Sequence, residues 1–217
     1  TIVSGPGVVD GATVLVSGAG AVVVRASQPG DANNLPATPV DRTLIVGKAQ
    51  ATVSLGSLQA VFGGVPRAAT AQTTPAGLAV EFTYDGGAAV PVNAGSYAVV
   101  ATVVDANFEG SASGTFAIAR APQSIEFAPF TDVPFGAPAR VLAGSASSGL
   151  PVEFSLVSGP GAVAGNFLAT TGVGVVTVRA TQAGNGNFEP ASAVERSFLV
   201  SEAAAAVQIT GATVVFD

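Results

Sequence analysis

One short loop, Asp105-Ala106-Asn107-Phe108-Glu109, holds the side chains best suited to bind a metal ion. Its side-chain oxygens stand at alternate positions, as in loops that bind the hard cation Ca²⁺. The spacing therefore makes Asp105, Asn107 and Glu109 candidate calcium ligands, and the chain around the loop must be read to test that hypothesis.

Two other loops are related to this one and allow the calcium hypothesis to be checked. Their acidic positions vary, since Asp31 corresponds to Asn185 and Leu35 corresponds to Glu189. One asparagine is common to the three loops: Asn33, Asn107 and Asn187. A persistent asparagine with changing carboxylates favours a turn capped by a side chain over a metal site. We therefore predict neither a metal nor another cofactor.

The sequence lacks the residue types that several other kinds of catalytic site require. The sequence has no His and no Cys, which excludes imidazole bases, thiol nucleophiles and metal sites built from those ligands. Lys48, in a linker, is the one lysine, so an internal amide cross-link in each module is excluded. A net charge of −6 with scattered basic residues offers no surface for nucleic acid. We predict that the protein is not an enzyme and does not bind nucleic acid.

The chain repeats itself with an offset of 154 residues. VSGPG at 3–7 recurs at 157–161, and 21 of the 46 positions at 1–46 are identical to the residues 154 positions later. The identities include three polar pairs: Arg25 with Arg179, Gln28 with Gln182, and Arg42 with Arg196. A fainter similarity between GLAVEF at 77–82 and GLPVEF at 149–154 indicates two related kinds of module in each period.

The composition and local pattern favour short β-strands. Charged residues make up 10% of the chain, beside 27 Gly and 14 Pro. In 176–180, alternation places Val176, Val178 and Ala180 inward and Arg179 in water, and Arg25 is interpreted in the same way. Further strands are predicted at 22–26, 80–84, 97–105, 115–119, 125–127, 140–143, 152–157, 166–169 and 195–201. About seven strands per roughly 70 to 80 residues predict a two-sheet sandwich.

NAGSYAV at 93–99 resembles the tyrosine corner of immunoglobulin-type domains, with Tyr97 buried and its hydroxyl bonded to main chain near Asn93. Together with Phe62-Gly63, this motif makes the middle of the chain resemble the MBG-type bacterial immunoglobulin-like repeats. The next module is similar to the immunoglobulin-like repeats that accompany them in very large bacterial surface and secreted proteins. The resemblance implies an extracellular location, at the cell surface or secreted, and a spacer or adhesive role, with no catalytic residue.

We therefore predict an all-β chain of tandem immunoglobulin-like β-sandwiches in an end-to-end array. The predicted domains are listed by residue number: 1–47, the C-terminal part of one module; 48–121, a complete MBG-type module; 122–201, a complete module of the first kind; and 202–217, the opening strand of a further MBG-type module. Short linkers, such as residues 47–50, are expected to limit bending between neighbours.

The predicted function is a structural spacer or stalk in a long repetitive, adhesin-like protein, whose partners are the neighbouring modules of the same chain. Two alternatives stay open: a filament or sheath subunit whose identical chains are joined by strand donation, and an adhesive module that binds glycan or protein. The longest apolar run, at 97–104, is too short for a membrane span.

The first 48 residues have no counterpart of 122–154, so half a sandwich is expected there. The inward faces of Val22, Val24 and Ile45 would then lack packing partners. Because the chain also begins at Thr1 and lacks Met, we expect it to be a piece of a longer array.

Overall fold

The computed structural model describes residues 1–208 and residue 211. All regular secondary structure in these described residues is β-strand. The described residues fall into two compact units, Thr1–Ala119 and a second unit that begins at Arg120. The predicted all-β class, built of successive β-sandwiches, is confirmed.

The first 47 residues form five strands. They are β1 Ile2–Ser4, β2 Gly7–Asp10, β3 Thr13–Val16, β4 Gly20–Ala26 and β5 Val40–Val46. Strands β1, β4 and β5 make one antiparallel sheet in that order, while β2 and β3 form a hairpin. Val22 on β4 is 0% exposed, so the expectation that it would lack packing partners was wrong. It packs close to β2, where a Cβ at Gly7 would lie 3.3 Å from Val22 Cγ1.

The middle of the chain forms eight strands. They are β6 Ala49–Gln50, β7 Thr52–Gly56, β8 Gln59–Val61, β9 Thr70–Thr74, β10 Val80–Tyr84, β11 Gly95–Val103, β12 Phe108–Glu109 and β13 Ser111–Ala119. One sheet has the order β10-β11-β13-β8, with β8 parallel to β13, and β7 pairs with β9 in a second sheet. The core between them holds Tyr84, Val99, Phe116 and Ile118. Alternating apolar residues on β11 and β13 thus produce the buried face that their period of two predicts.

The described residues of the second unit form nine strands. They are β14 Ile125–Phe127, β15 Val133–Pro134, β16 Arg140–Val141, β17 Gly144–Ala146, β18 Glu153–Ser158, β19 Gly161–Ala164, β20 Phe167–Thr170, β21 Gly174–Thr181 and β22 Val194–Ser201. The main sheet has the order β15-β22-β21-β18, and β16-β20-β19 and β14-β17 complete the layers. Its core is larger than that of the middle module and contains two buried phenylalanines, Phe127 and Phe198.

Aromatic contacts organise that second core. The ring of Phe127 lies 5.3 Å from that of Phe130 and 5.2 Å from that of Phe154, and Phe130 lies 5.2 Å from Phe198. The guanidinium of Arg140 covers the rings of Phe130 and Phe198, at 5.3 and 4.9 Å from their centroids. This cation–π cover closes the end of the core with a charged group that remains in contact with water.

The sequence repeat is also a repeat of conformation. Strands β2 and β3 recur with the same 154-residue offset as β19 and β20. The glycines of the two VSGPG copies share a left-handed backbone, with φ of 96° at Gly5 and 98° at Gly159. A Cβ at either position would lie 2.1 Å from a carbonyl oxygen of the adjacent strand. Both the turn and the close approach therefore require glycine.

Most predicted strands lie where the pattern placed them, but one inward assignment was wrong. Strands β10 and β14 have the predicted bounds, whereas the strand expected at 140–143 ends at Val141. Ile45 faces solvent and is 72% exposed, as its counterpart Leu199 is 43% exposed. Leu44 takes the inward position, because its counterpart Phe198 is in the core.

Half of the predicted opening strand at 202–217, namely residues 209, 210 and 212–217, lies outside the described residues. Residues 202–208 follow β22 without regular secondary structure. The domain boundaries predicted from the sequence stay predictions.

Candidate functional site

The candidate site is the joint at which one module meets the next within the first unit, and it is built on the loop at 105–109. The Asp105 carboxylate oxygen Oδ1 accepts hydrogen bonds from the backbone N–H groups of Asn107, at 2.7 Å, and Phe108, at 3.0 Å. This arrangement is an Asx turn, in which the side chain replaces a main-chain acceptor.

The two related loops contain the same turn. Asn185 Oδ1 accepts from the N–H of Asn187 at 2.8 Å and of Phe188 at 3.0 Å, and Asp31 Oδ1 accepts from Asn33 at 2.8 Å and Asn34 at 2.9 Å. The capping residue is therefore the first of each loop, Asp or Asn, and not the persistent asparagine that the sequence comparison singled out. The pKa of the exposed Asp31 carboxyl is lowered by these hydrogen bonds. The backbone N–H of Asn33 has the largest effect, followed by the side chain and the backbone N–H of Asn34.

Each complete module uses this loop to bind the linker that enters it. In the middle module, β6 pairs in parallel with β12, with the N–H of Ala49 2.8 Å from the Asn107 carbonyl and that of Ala51 2.8 Å from the Glu109 carbonyl. In the second unit the Ala121 N–H donates to the Asn187 carbonyl at 2.9 Å. The backbone carbonyl of the triplet's asparagine therefore accepts a hydrogen bond from the incoming linker in both places.

Side chains strengthen the binding of both linkers. Gln50 Nε2 donates to Glu109 Oε1 at 2.7 Å, and Lys48 Nζ donates to the Asp105 carbonyl at 2.6 Å. In the second unit Gln123 Nε2 lies 2.7 Å from Gln182 Oε1. Gln182 is 9% exposed, so this pair satisfies amide groups that would otherwise be costly to bury.

The side chain of Asn107 connects the 105–109 loop to the first 47 residues. Its Oδ1 accepts a hydrogen bond of 2.9 Å from the backbone N–H of Ala19, which lies on the turn between β3 and β4. The neighbouring Gly18 permits this approach, because a Cβ there would lie 2.7 Å from Asn107 Oδ1. Sequence reasoning did not identify Ala19 or Gly18, although Gly18 is identical to Gly172 in the repeat.

The structure gives the three calcium candidates different partners. Asp105 Oδ1 caps its own turn, Asn107 Oδ1 binds Ala19, and Glu109 Oε1 binds Gln50. Within residues 1–208 and 211, no group of three or more His, Cys, Asp or Glu side chains is placed to hold a metal ion. The hydrogen bonds of the loop thus serve the joint.

Tyr97 makes the hydrogen bond expected of it but is less buried than expected, and the buried tyrosine is Tyr84. Tyr97 Oη donates to the Asn93 carbonyl at 2.8 Å, which is the bond that a tyrosine corner requires, but the ring is half-buried. Tyr84 is the buried one, at 5% exposure, and its hydroxyl accepts the N–H of Ala69 at 2.9 Å. The alternation of inward residues Val80, Phe82 and Tyr84 on β10 was the signal that could have located it.

Arg25 and Arg179, interpreted from the sequence as outward residues in water, form exposed cross-strand ion pairs. Arg25 binds both carboxylate oxygens of Asp41, at 2.7 and 2.8 Å, and Arg179 lies 2.6 Å from Glu195. Hydrogen bonding to Arg25 lowers the pKa of Asp41, and the same contact raises the pKa of Arg25. Such pairs contribute little stability at the surface, so we assign them to strand register.

The middle of the chain, which contains the 105–109 loop, is similar to a known domain family. Residues 51–122 match the family model of the MBG domain. The predicted MBG-type resemblance is therefore confirmed for this part of the chain. MBG domains are structural modules without enzymatic activity and are typically extracellular.

One solved structure similar to the chain is the crystal structure of Drosophila N-cadherin EC1-4, at 12% sequence identity and a TM-score of 0.37. The match covers 92% of this chain and 64% of that chain. No curated protein matches the sequence significantly. In the part of the chain that the structure describes, no helix is long and apolar enough to cross a membrane.

Proposed function

We propose that this chain is a spacer segment of a long, repetitive extracellular protein of bacteria, either secreted or held at the cell surface. In this function the modules carry load and set distance, and their partners are the neighbouring modules of the same chain. The MBG match supports the extracellular and structural parts of the proposal.

The observation that carries the proposal is the hydrogen bond from the Ala19 N–H to Asn107 Oδ1. A spacer must resist bending where its modules meet, and this bond fixes a turn of one module against a loop of the next. Lys48 adds a second restraint, because its ammonium group binds the carbonyl of Asp105 within the same loop.

The proposal also accounts for the use of backbone pairing at the linkers. Ala49 and Ala51 donate their N–H groups to the 105–109 loop, so the linker is an added strand of the module and not a free tether. A flexible Gly/Ser-rich linker would allow neighbouring modules to move independently. The paired linker transmits force directly into the sheet that receives it.

The test is a distance measurement across the joint. Because the chain has no Cys, spin labels can be attached at Thr43→Cys and Thr102→Cys, two exposed positions on either side of the joint. We expect a narrow distance distribution in the full chain. Asn107→Ala should broaden it, since the joint loses a hydrogen bond worth about 0.5–1.5 kcal/mol.

Asn33→Ala is the matched control, because Asn33 occupies the corresponding place in the 31–34 turn. That variant should leave the distribution narrow. A distribution that is already broad in the unsubstituted chain, or that Asn107→Ala leaves unchanged, would contradict the proposed spacer function.

A further inference from the structure

One sheet face is buried in the second unit and open in residues 1–47. In the second unit this face holds Val178, Phe198 and Val200, which are 0%, 4% and 0% exposed. Ile125 and Phe127 of β14 belong to the same buried cluster. The residues that cover the face therefore come from 122–154, for which residues 1–47 have no counterpart.

At the same register in residues 1–47, Val22 is 0% exposed like its counterpart Val176, but the rest of the face lacks that cover. Leu44, the counterpart of Phe198, is 45% exposed, while Val24 and Val46 are half-buried. The strands themselves are paired alike, because Val24 faces Arg42 across β4 and β5 as Val178 faces Arg196 across β21 and β22. The greater exposure thus reflects a missing layer and not a different strand arrangement.

The polar rim of the face retains the residues that bind this layer in the second unit. There, Gln182 Oε1 accepts from Gln123 Nε2 at 2.7 Å, and Arg196 Nε donates to the Phe127 carbonyl at 2.9 Å. The identical counterparts are Gln28 and Arg42, which are both exposed.

Gln28 is already held in the orientation that this binding needs. The Gly30 N–H donates to Gln28 Oε1 at 2.8 Å, and the Gly184 N–H makes the same bond to Gln182 Oε1. The exposed glutamine therefore has the local geometry of the buried one. In the second unit the covering layer supplies two further partners, the Gln123 amide and the Pro151 carbonyl, to which Gln182 Nε2 donates at 3.3 Å.

We propose that this face of residues 1–47 is an acceptor surface for a further copy of the segment 122–154. In such a complex the positions of Ile125 and Phe127 cover Val24, Leu44 and Val46. The position of Gln123 binds Gln28, and the carbonyl at the position of Phe127 binds Arg42. The chain's own copy of Phe127 is 3% exposed and belongs to the core of the second unit.

The test adds a second copy of residues 122–154 directly before Thr1 of the full chain, which reproduces the order in which residue 154 precedes residue 155. Hydrogen exchange of the β4 and β5 amides is then followed by mass spectrometry or NMR. We expect these amides to exchange more slowly by about tenfold or more, because the covering layer suppresses local opening. The amides of β21 and β22 serve as an internal standard and should keep their rates.

Two variants separate the proposed contacts from non-specific collapse. Phe127→Asp in the added copy alone should abolish the protection, and Gln28→Ala with Arg42→Ala should reduce it, both with β21 and β22 unaffected. Unchanged exchange in β4 and β5 after the extension would overturn the proposal. Equal protection from the Phe127→Asp extension would overturn it as well.

Discussion

At the residue scale, the middle module depends on a hydroxyl that the sequence left unassigned. Tyr84 is 5% exposed, packs edge-on against Phe116 with ring centroids 5.8 Å apart, and accepts the buried N–H of Ala69. Tyr97 makes a more exposed bond to the Asn93 carbonyl. Removing the Tyr84 hydroxyl should therefore lower the stability of the module more than removing the Tyr97 hydroxyl.

Tyr84→Phe should destabilise the middle module by about 1–3 kcal/mol, because the Ala69 N–H stays buried without an acceptor. Tyr97→Phe should cost less, about 0.5–1.5 kcal/mol, since water can replace the hydroxyl at the half-buried site. Urea unfolding of the two variants measures both values. A larger loss for Tyr97→Phe would show that the corner, and not Tyr84, holds this sandwich together.

Asp31 gives a pH prediction of defined sign. Its carboxylate accepts hydrogen bonds from Asn33 and Asn34, which lower its pKa below the ordinary 3.8. A lowered pKa in the folded state stabilises the turn above the unfolded pKa, and that stabilisation is lost as the pH falls through the folded pKa. Carbon-13 NMR of the carboxyl should give a midpoint below 3.8, and a midpoint at or above that value would refute the capping geometry.

Asp31→Asn is the matched variant, because Asn185 makes the same turn in the second unit. It should preserve the turn at neutral pH and remove the acid dependence of the 31–34 loop. Hydrogen exchange of the Asn33 and Asn34 amides at pH 7 and pH 3 measures this difference. If the variant's amides lose protection at pH 7, amide and carboxylate are not equivalent caps.

At the element scale, the turns set the strands in place, and Gly159, like Gly5, is a position where a turn requires glycine. Gly159→Ala would place a Cβ 2.1 Å from the Val175 carbonyl oxygen, whereas Gly149, with a φ of +76°, has open space around its missing Cβ. We expect Gly159→Ala to destabilise the second unit by more than the roughly 1–3 kcal/mol that an unfavourable φ alone costs. Gly149→Ala should stay within that range.

Chemical denaturation of the two glycine variants tests this ranking. Equal losses would show that the approach of the VSGPG turn to β21 relaxes when a side chain is added. The ranking would then reflect backbone strain alone, and the recurrence of VSGPG would need another explanation.

The sequence predicted strands well where residues alternate and less well where they do not. β21 alternates Val176, Thr177 and Val178, so its inward face could be read directly. In Leu44-Ile45-Val46 all three residues are apolar, so the sequence does not show which of them face inward. Ile45 was therefore assigned to the inward face, on which Leu44 in fact lies.

The joint was harder to predict for a different physical reason. The Asn-Phe-Glu triplet binds the linker through backbone carbonyls, which any residue could supply, and through one side-chain bond, from Gln50 to Glu109. The bond between Asn107 and Ala19 joins residues 88 positions apart, and no local pattern encodes such a contact. The persistence of the asparagine marked the loop correctly but not its partner.

At the scale of the whole molecule, the two copies of the repeat keep the same strand arrangement while individual polar and aromatic residues differ between them. Arg25 pairs with Asp41 where Arg179 pairs with Glu195, so the pairing is kept while the acid changes. The aromatic core of 122–201 differs from the tyrosine-centred core of the MBG domain. Neighbours with different cores are poor partners for strand exchange, which favours correct folding of tethered modules.

A spacer of this kind requires modules that unfold one at a time under load, which can be measured by pulling the full chain from its two ends. We predict two separate unfolding events, for 48–121 and 122–201, each releasing about 20–30 nm of chain at roughly 3.5 Å per residue. A single cooperative event, or smooth extension without resistance, would contradict the account.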